Sequence, residues 1–246
     1  MSGHPDTADG GRRDQIRSHL LALRERVATA CEKAGRDPED VTIIAVTKTY
    51  PASDVRILAG LGVTDVGENR DQEAAPKAAD CDDLDLTWHF VGQLQTNKAR
   101  SVARYADVVH SVDRDRLARA LGSRARAEGR QLTCLVQINL DPESAVGELG
   151  PRGGVDPRDA LSVAEAIDAE EGLTVGGVMA VAPRQGDPGT AFARLFQVAS
   201  DIRDRYPQAR VISAGMSGDL ETAIEHGATH LRVGTALLGD RGPIVG

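Results

Sequence analysis

Aromatic residues are nearly absent: tryptophan, tyrosine and phenylalanine together make up 3% of the chain. Any core must therefore be aliphatic, and 41% apolar residues supply enough Val, Leu, Ile and Ala for a sizeable one. Cysteine is also scarce. Cys31, Cys81 and Cys134 are widely separated, odd in number and never in a CxxC pair. That spacing excludes a disulfide scaffold or a zinc ribbon and points to inert thiols in a reduced, cytoplasmic compartment. Excess positive charge is missing too, since the formal net charge is −8. General nucleic-acid binding needs a basic patch and is excluded; local capture of a small anion is not. Lysine is the rarer base: Lys33, Lys48, Lys77 and Lys98 are the only four among 29 basic residues. Few side chains could form an imine. No apolar run approaches the roughly 20 residues of a membrane span. The opening "MSGHPDTADGGRR" lacks the apolar segment of a signal peptide and reads as a disordered tail over residues 1–13. No repeat, low-complexity block or linker divides the remainder, so residues 14–246 read as one domain.

What is present is an alternation. Residues 14–34 predict a helix, with Ile16, Leu20, Leu23 and Val27 on one face and Gly35 as its stop. Eight short apolar runs follow: 41–46, 65–69, 87–92, 108–112, 134–140, 175–181, 210–216 and 230–239. Several are almost continuously apolar, as strands buried on both faces must be. Amphipathic segments lie between them. One carries Leu117, Ala120 and Leu121; another carries Phe192, Leu195, Phe196, Ala199 and Ile202; "DLETAIEHG" (219–227) has an acidic start and a glycine end. Eight strands separated by helices predict a closed (β/α)8 TIM barrel, with an open doubly wound sheet as the alternative. Little chain remains after the eighth strand for a full helix, and the additional N-terminal helix is expected to cover that gap. The Gly-, Pro- and acid-rich stretch 141–157 reads as a mobile loop above strand five.

In such a barrel the chemistry lies at the C-terminal ends of the strands. Lys48 follows strand one, Glu68 and Asn69 end strand two, and His89 lies on strand three. Ser213, Met216 and Ser217 lie at the end of strand seven; Arg232, Gly234 and Thr235 lie on or after strand eight. "SAGMSGDLETAIEHG" is a strand, a turn of small residues and a helix start, with Ser217 or Asp219 placed to cap the helix. "RVGT" forms a second such turn. Backbone N–H groups at two adjacent turns suit a phosphate, although Gly/Ser turns often do no more than cap a helix. Lys48 is either a solvated charge or, beside a phosphate site, an imine-forming lysine. The second role requires the neutral amine, and a free lysine titrates near ~10.4. A neighbouring cation such as Arg232 would favour the neutral form; alternatively Arg232 pairs with Glu68 or another carboxylate. His89 reads as a satisfied core histidine, Trp88 as packing, and "LQTNKAR" (94–100) as a helix start with Lys98 solvated.

"IAVTKTYP", "VGENRDQE", "WHFVGQLQTNK", "VHSVD", "QINL", "SAGMSGDLETAIEHG" and "LRVGTALLG" occur in this order between residues 44 and 239, within a match that runs from about residue 14 to residue 241. Together they resemble the pyridoxal phosphate homeostasis protein family, which is similar to the N-terminal barrel of alanine racemase. The resemblance implies a fold-type III barrel that binds pyridoxal 5′-phosphate as a Schiff base on Lys48. It implies phosphate contacts from Ser217, Gly234 and Thr235, with Ser213 and Met216 lining the site and Asn69 and Arg232 near the ring. It further implies no catalytic residues and no metal, and a cytoplasmic carrier, monomeric or weakly dimeric, that delivers the cofactor to apo-enzymes. Many family members carry a lysine in the loop after strand five; here "ESAVGELG" has none. A racemase is the alternative function. It needs acid–base groups on both faces of the substrate Cα, and Tyr50, Tyr105 and Tyr206 are the only tyrosines available. A Schiff-base aldolase acting on a sugar phosphate is a third reading.

Overall fold

Each of the eight apolar runs forms a strand. In the computed structural model, which describes residues 6–141, 153–183 and 186–239, the strands are β1 (Thr42–Val46), β2 (Asp65–Glu68), β3 (Thr87–Phe90) and β4 (Val108–Val112). They continue as β5 (Leu132–Gln137), β6 (Leu173–Met179), β7 (Val211–Ser213) and β8 (His230–Val233). All neighbours pair in parallel, and β8 returns to β1 with Thr42 opposite His230, which closes the barrel. Closure removes the sheet edges that an open doubly wound sheet would leave. β6 passes close to its neighbours. Gly177 has φ +142°, and a Cβ there would sit 2.0 Å from the carbonyl oxygen of Val211, so only glycine fits.

Helices cover the barrel: α1 (Asp6–Ala34), α2 (Ala52–Ala59), α3 (Asp71–Ala79), α4 (Ala99–Tyr105) and α5 (Asp115–Ala127). α6 (Ala160–Asp168), α7 (Pro188–Arg205), α8 (Leu220–Glu225) and α9 (Thr235–Leu238) complete the layer. α9 has only four residues, and α1 packs on both α8 and α9, as expected for a helix that covers the gap after β8. His19 Nδ1 lies 3.1 Å from the Leu237 carbonyl, and Arg36 donates to the carbonyls of Ile224 and Ala228.

Two expectations need correction. Residues 6–13 are helical, not a disordered tail, and α1 starts at Asp6. Arg12 pairs with Asp54 at 2.6 Å and Arg13 reaches the Gly60 carbonyl, so long-range contacts tie down a segment whose own composition is poorly helical. Phe196 leaves the core stripe of α7. It lies one position off the 192/195/199/202 line and is 43% exposed, where it covers Gly227. Residues 1–5, most of the 141–157 loop and the segment from Asp240 onward lie outside the described residues. No helix among the described residues is long and apolar enough to cross a membrane. The three cysteines are free and buried, and burial pushes each thiol up, Cys134 to about 12.

Candidate active site at the C-terminal mouth

A cavity of about 520 Å³ opens at the C-terminal ends of β1, β2, β7 and β8. Lys48, Asn69, Met216, Ser217, Arg232, Gly234 and Thr235 all line it. Seven of the eight residues expected at the site are therefore together. Ser213 does not line the cavity. It is fully buried one layer behind, where its carbonyl and hydroxyl accept from Arg232 at 2.8 and 2.7 Å.

Lys48 emerges where β1 ends, and a buried ion pair supports the residue before it. The Thr47 hydroxyl donates to Glu68 Oε1 at 2.6 Å, while Lys77 Nζ donates to the Thr47 carbonyl at 2.7 Å and to the same carboxylate oxygen at 2.5 Å. Glu68 therefore belongs to Lys77, and the alternative pairing with Arg232 does not occur. Burial raises the Glu68 pKa, against the opposing effect of Lys77 and Thr47. Thr49 follows with φ +67°, a left-handed conformation that is costly for a β-branched residue. Its N–H donates to Glu73 and the Tyr50 N–H donates to the Thr47 carbonyl, so a strained turn directs Lys48 into the mouth. The other three lysines are elsewhere. Lys77 is buried, Lys98 lies 3.7 Å from Asp71, and Lys33 lines a groove between α1 and α8.

On the opposite wall the two small-residue turns meet, and the Ala236 N–H reaches Ser217 Oγ at 3.4 Å. The expected capping of α8 by Ser217 or Asp219 does not occur. The Asp219 carboxylate turns back to the Met216 N–H at 2.6 Å, and neither α8 nor α9 has a side-chain cap. From outside the barrel, Arg26 of α1 donates to the Ser217 carbonyl at 3.1 Å and to Glu221 at 2.8 Å. Arg232 forms the floor. It is buried, held by the carbonyls of Ser213 and Ala180 and by the Ser213 hydroxyl, and burial lowers its pKa to about 10. Asn69 is held by a close approach: a Cβ at Gly92 would lie 2.0 Å from the Asn69 carbonyl oxygen.

Sequence reasoning missed Val46, Thr49, Tyr50, Val91, Val181, Gly218 and Gly239 as lining residues. Tyr50 had a usable signal, being two residues after Lys48; its hydroxyl bonds the Gly239 carbonyl and closes the mouth beside β8. His89 is a satisfied core histidine with both ring nitrogens bonded, and Trp88 packs against Val55, Val66 and Cys81.

The family model described as "Alanine racemase, N-terminal domain" matches residues 18–242. The pyridoxal phosphate homeostasis protein of Mycobacterium tuberculosis H37Rv is 40% identical over 260 residues, covering 98% of this chain and 96% of that protein. The chain belongs to the pyridoxal phosphate homeostasis protein family. The Escherichia coli K12 member is 34% identical over 238 residues, covering 93% of this chain and 97% of that protein. PipY of Synechococcus elongatus, solved with PLP bound, superposes with a TM-score of 0.77 at 34% identity, covering 92% of this chain and all of that one. Alanine racemase of Clostridium difficile shares the fold, with a TM-score of 0.70 at 15% identity; the match covers 94% of this chain and 58% of that one.

Proposed function

We propose that this protein binds pyridoxal 5′-phosphate in the Lys48 cavity, holds it through a Schiff base and delivers it to apo-enzymes. It would thus serve cofactor homeostasis without a reaction of its own. The observation that carries this reading is the charge balance of the cavity. Among the described residues that line it, two are cationic, Lys48 and Arg232, and none is a carboxylate. Such a cavity favours an anionic ligand, and its volume suits a small molecule.

The residues fit the cofactor group by group. Ser217, Gly234 and Thr235 offer N–H and hydroxyl donors to a phosphate. Lys48, the only lysine in the cavity, offers an amine to an aldehyde. Arg232 offers a donor to the pyridine nitrogen. When bound, the cofactor supplies an aldehyde that condenses with a neutral amine, with loss of one water. A guanidinium cannot protonate a pyridine nitrogen as a carboxylic acid does, so Arg232 disfavours carbanion chemistry. PipY with PLP bound supports the cofactor, and the names of the curated relatives support the homeostatic role.

The racemase reading keeps one favourable observation, because Tyr50 lines the same cavity as Lys48. Its hydroxyl, however, is engaged with the Gly239 carbonyl. Tyr105 lies at the end of α4 and Tyr206 follows α7, and neither lines the cavity.

The deciding experiment is a visible absorption spectrum with added pyridoxal phosphate, followed by borohydride reduction and peptide mapping. The cofactor is expected on the Lys48 peptide, and Lys48→Ala should remove the band while changing stability by less than about 0.5 kcal/mol. A reducible adduct surviving in Lys48→Ala would overturn the assignment. Turnover of L- or D-alanine at enzymatic rates would favour the racemase.

A further inference from the structure

Behind the cavity floor the barrel interior contains a continuous line of polar side chains. Arg232 Nη1 meets Ser213 Oγ at 2.7 Å, and Ser213 Oγ meets His110 Nδ1 at 3.0 Å. His110 Nε2 meets His89 Nδ1 at 2.9 Å, and His89 Nε2 meets Asp65 Oδ1 at 2.9 Å. The line crosses from β8 through β7, β4 and β3 to the first residue of β2. Its two ends open on opposite faces. Arg232 lines the Lys48 cavity, and Asp65 lines a groove at the N-terminal mouth.

With His89 neutral, the two ends determine every proton between them. A guanidinium only donates, and an ionised carboxylate only accepts. Asp65 must receive the proton of His89 Nε2. A neutral His89 then accepts at Nδ1, so His110 carries its proton on Nε2. His110 Nδ1 in turn accepts the Ser213 hydroxyl proton, which leaves Ser213 Oγ free to accept from Arg232. All four bonds run the same way without a conflict. Burial, reinforced by His89, Arg232 and His230, keeps His110 neutral. His230 lies nearby with its ring centroid 6.4 Å from that of His89, but its Nδ1 pairs with Thr229. Among the described residues, no group of three or more His, Cys, Asp or Glu side chains is arranged to hold a metal ion.

We infer that Asp65, His89, His110 and Ser213 form a one-directional hydrogen-bond chain that orients and polarises Arg232 from the opposite end of the barrel. Among the described residues the hydrogen-bond partners of Arg232 are neutral, and Asp219 acts on it only through space; the chain supplies a second, hydrogen-bonded route to a carboxylate. Successive hydrogen bonds polarise one another, so the charge of Asp65 is felt at Arg232. Asp65, His89 and His110 are positioning residues. Their effect on the cofactor rests on the pyridoxal phosphate reading above; the direction of the chain does not.

The test has two arms on the full chain. Long-range ¹H–¹⁵N spectra of histidine-labelled protein without added cofactor should show His89 and His110 both neutral with the proton on Nε2. A proton on Nδ1 of either ring, or an imidazolium, would overturn the chain. In the second arm, pyridoxal phosphate labelled with ¹⁵N in the ring is bound to the wild type, Asp65→Asn and Asp65→Glu. An asparagine amide can donate to His89 Nε2 and reverse the chain. The ring-nitrogen resonance should therefore shift in Asp65→Asn and return toward the wild type in Asp65→Glu. An unmoved resonance in cofactor-loaded Asp65→Asn would show that the chain does not reach Arg232. Failure of the wild type to take up cofactor would sink the proposed function and leave the tautomer result standing.

Discussion

Lys48 depends on a neighbour that shares no element with it. Thr47, the residue before it, is held through its carbonyl by Lys77 and through its hydroxyl by Glu68, both buried. Removing one member of a buried ion pair leaves the other uncompensated, at a cost of about 3–5 kcal/mol. Lys77→Ala should therefore lower unfolding stability by that amount in urea titration. The double change Glu68→Gln with Lys77→Met should recover most of the loss, because no charge is then stranded. Equal losses in both variants would show that packing, and not charge, is at stake. At the opposite wall, Ser217→Ala removes one hydroxyl donor. We expect cofactor affinity to fall by about tenfold, from the loss of one charge-assisted hydrogen bond, while the Lys48 adduct still forms. Unchanged affinity, measured by equilibrium dialysis, would remove Ser217 from the phosphate site.

At the scale of elements, the site is assembled by the layer outside it. α1 lies against α8 and α9, and Arg26 reaches inward from it to the Ser217 carbonyl. That contact steadies the turn between β7 and α8, which has no side-chain cap of its own. Arg26→Ala loses a hydrogen bond from a charged donor, worth about 1.5–3 kcal/mol in a well-ordered site. Half-exposure of the arginine reduces its effect. Cofactor affinity should drop about fivefold, corresponding to about 1 kcal/mol. The same affinity in wild type and variant would mean that α1 covers the barrel without tuning the site. α1 also shows how local pattern can mislead: its first turns look like tail by composition and are helical because Arg12 and Arg13 meet α2 and the turn after it.

For the whole molecule, the buried His110 and the half-buried His230 make stability depend on pH. Burial holds His110 well below its ordinary value and lowers His230 to about 4. Both stay neutral in the barrel but take protons in the unfolded chain below roughly pH 6.5. The unfolded state then binds more protons, so stability falls as pH drops through 6.5 and continues to fall until the folded values are reached. For His230 alone, the shift from 6.5 to about 4 corresponds to about 3 kcal/mol. Denaturation midpoints measured from pH 7.5 to 4.5 should decline, and His230→Gln should make the decline shallower. A flat profile would mean that His110 and His230 can be protonated without loss of the barrel.

The order of apolar runs and amphipathic segments determined the barrel, because a strand buried on both faces must be continuously apolar and a helix on its surface must be one-sided. The positions of residues relative to strand ends also placed Lys48, Asn69, Met216, Ser217, Arg232, Gly234 and Thr235 in one mouth, since parallel strands bring all their C-terminal ends to one face. Side-chain partners were decided only in three dimensions. By sequence Glu68 is matched with Arg232; the pleat of β2 and the placement of α3 gave it to Lys77. Ser213 sits one step back on β7, so it holds Arg232 and does not line the cavity. The line from Asp65 through His89 and His110 to Ser213 joins residues from four strands, with separations of 21, 24 and 103 positions. No local pattern encodes such a line, because it exists only once the barrel has closed and strands distant in sequence share one interior.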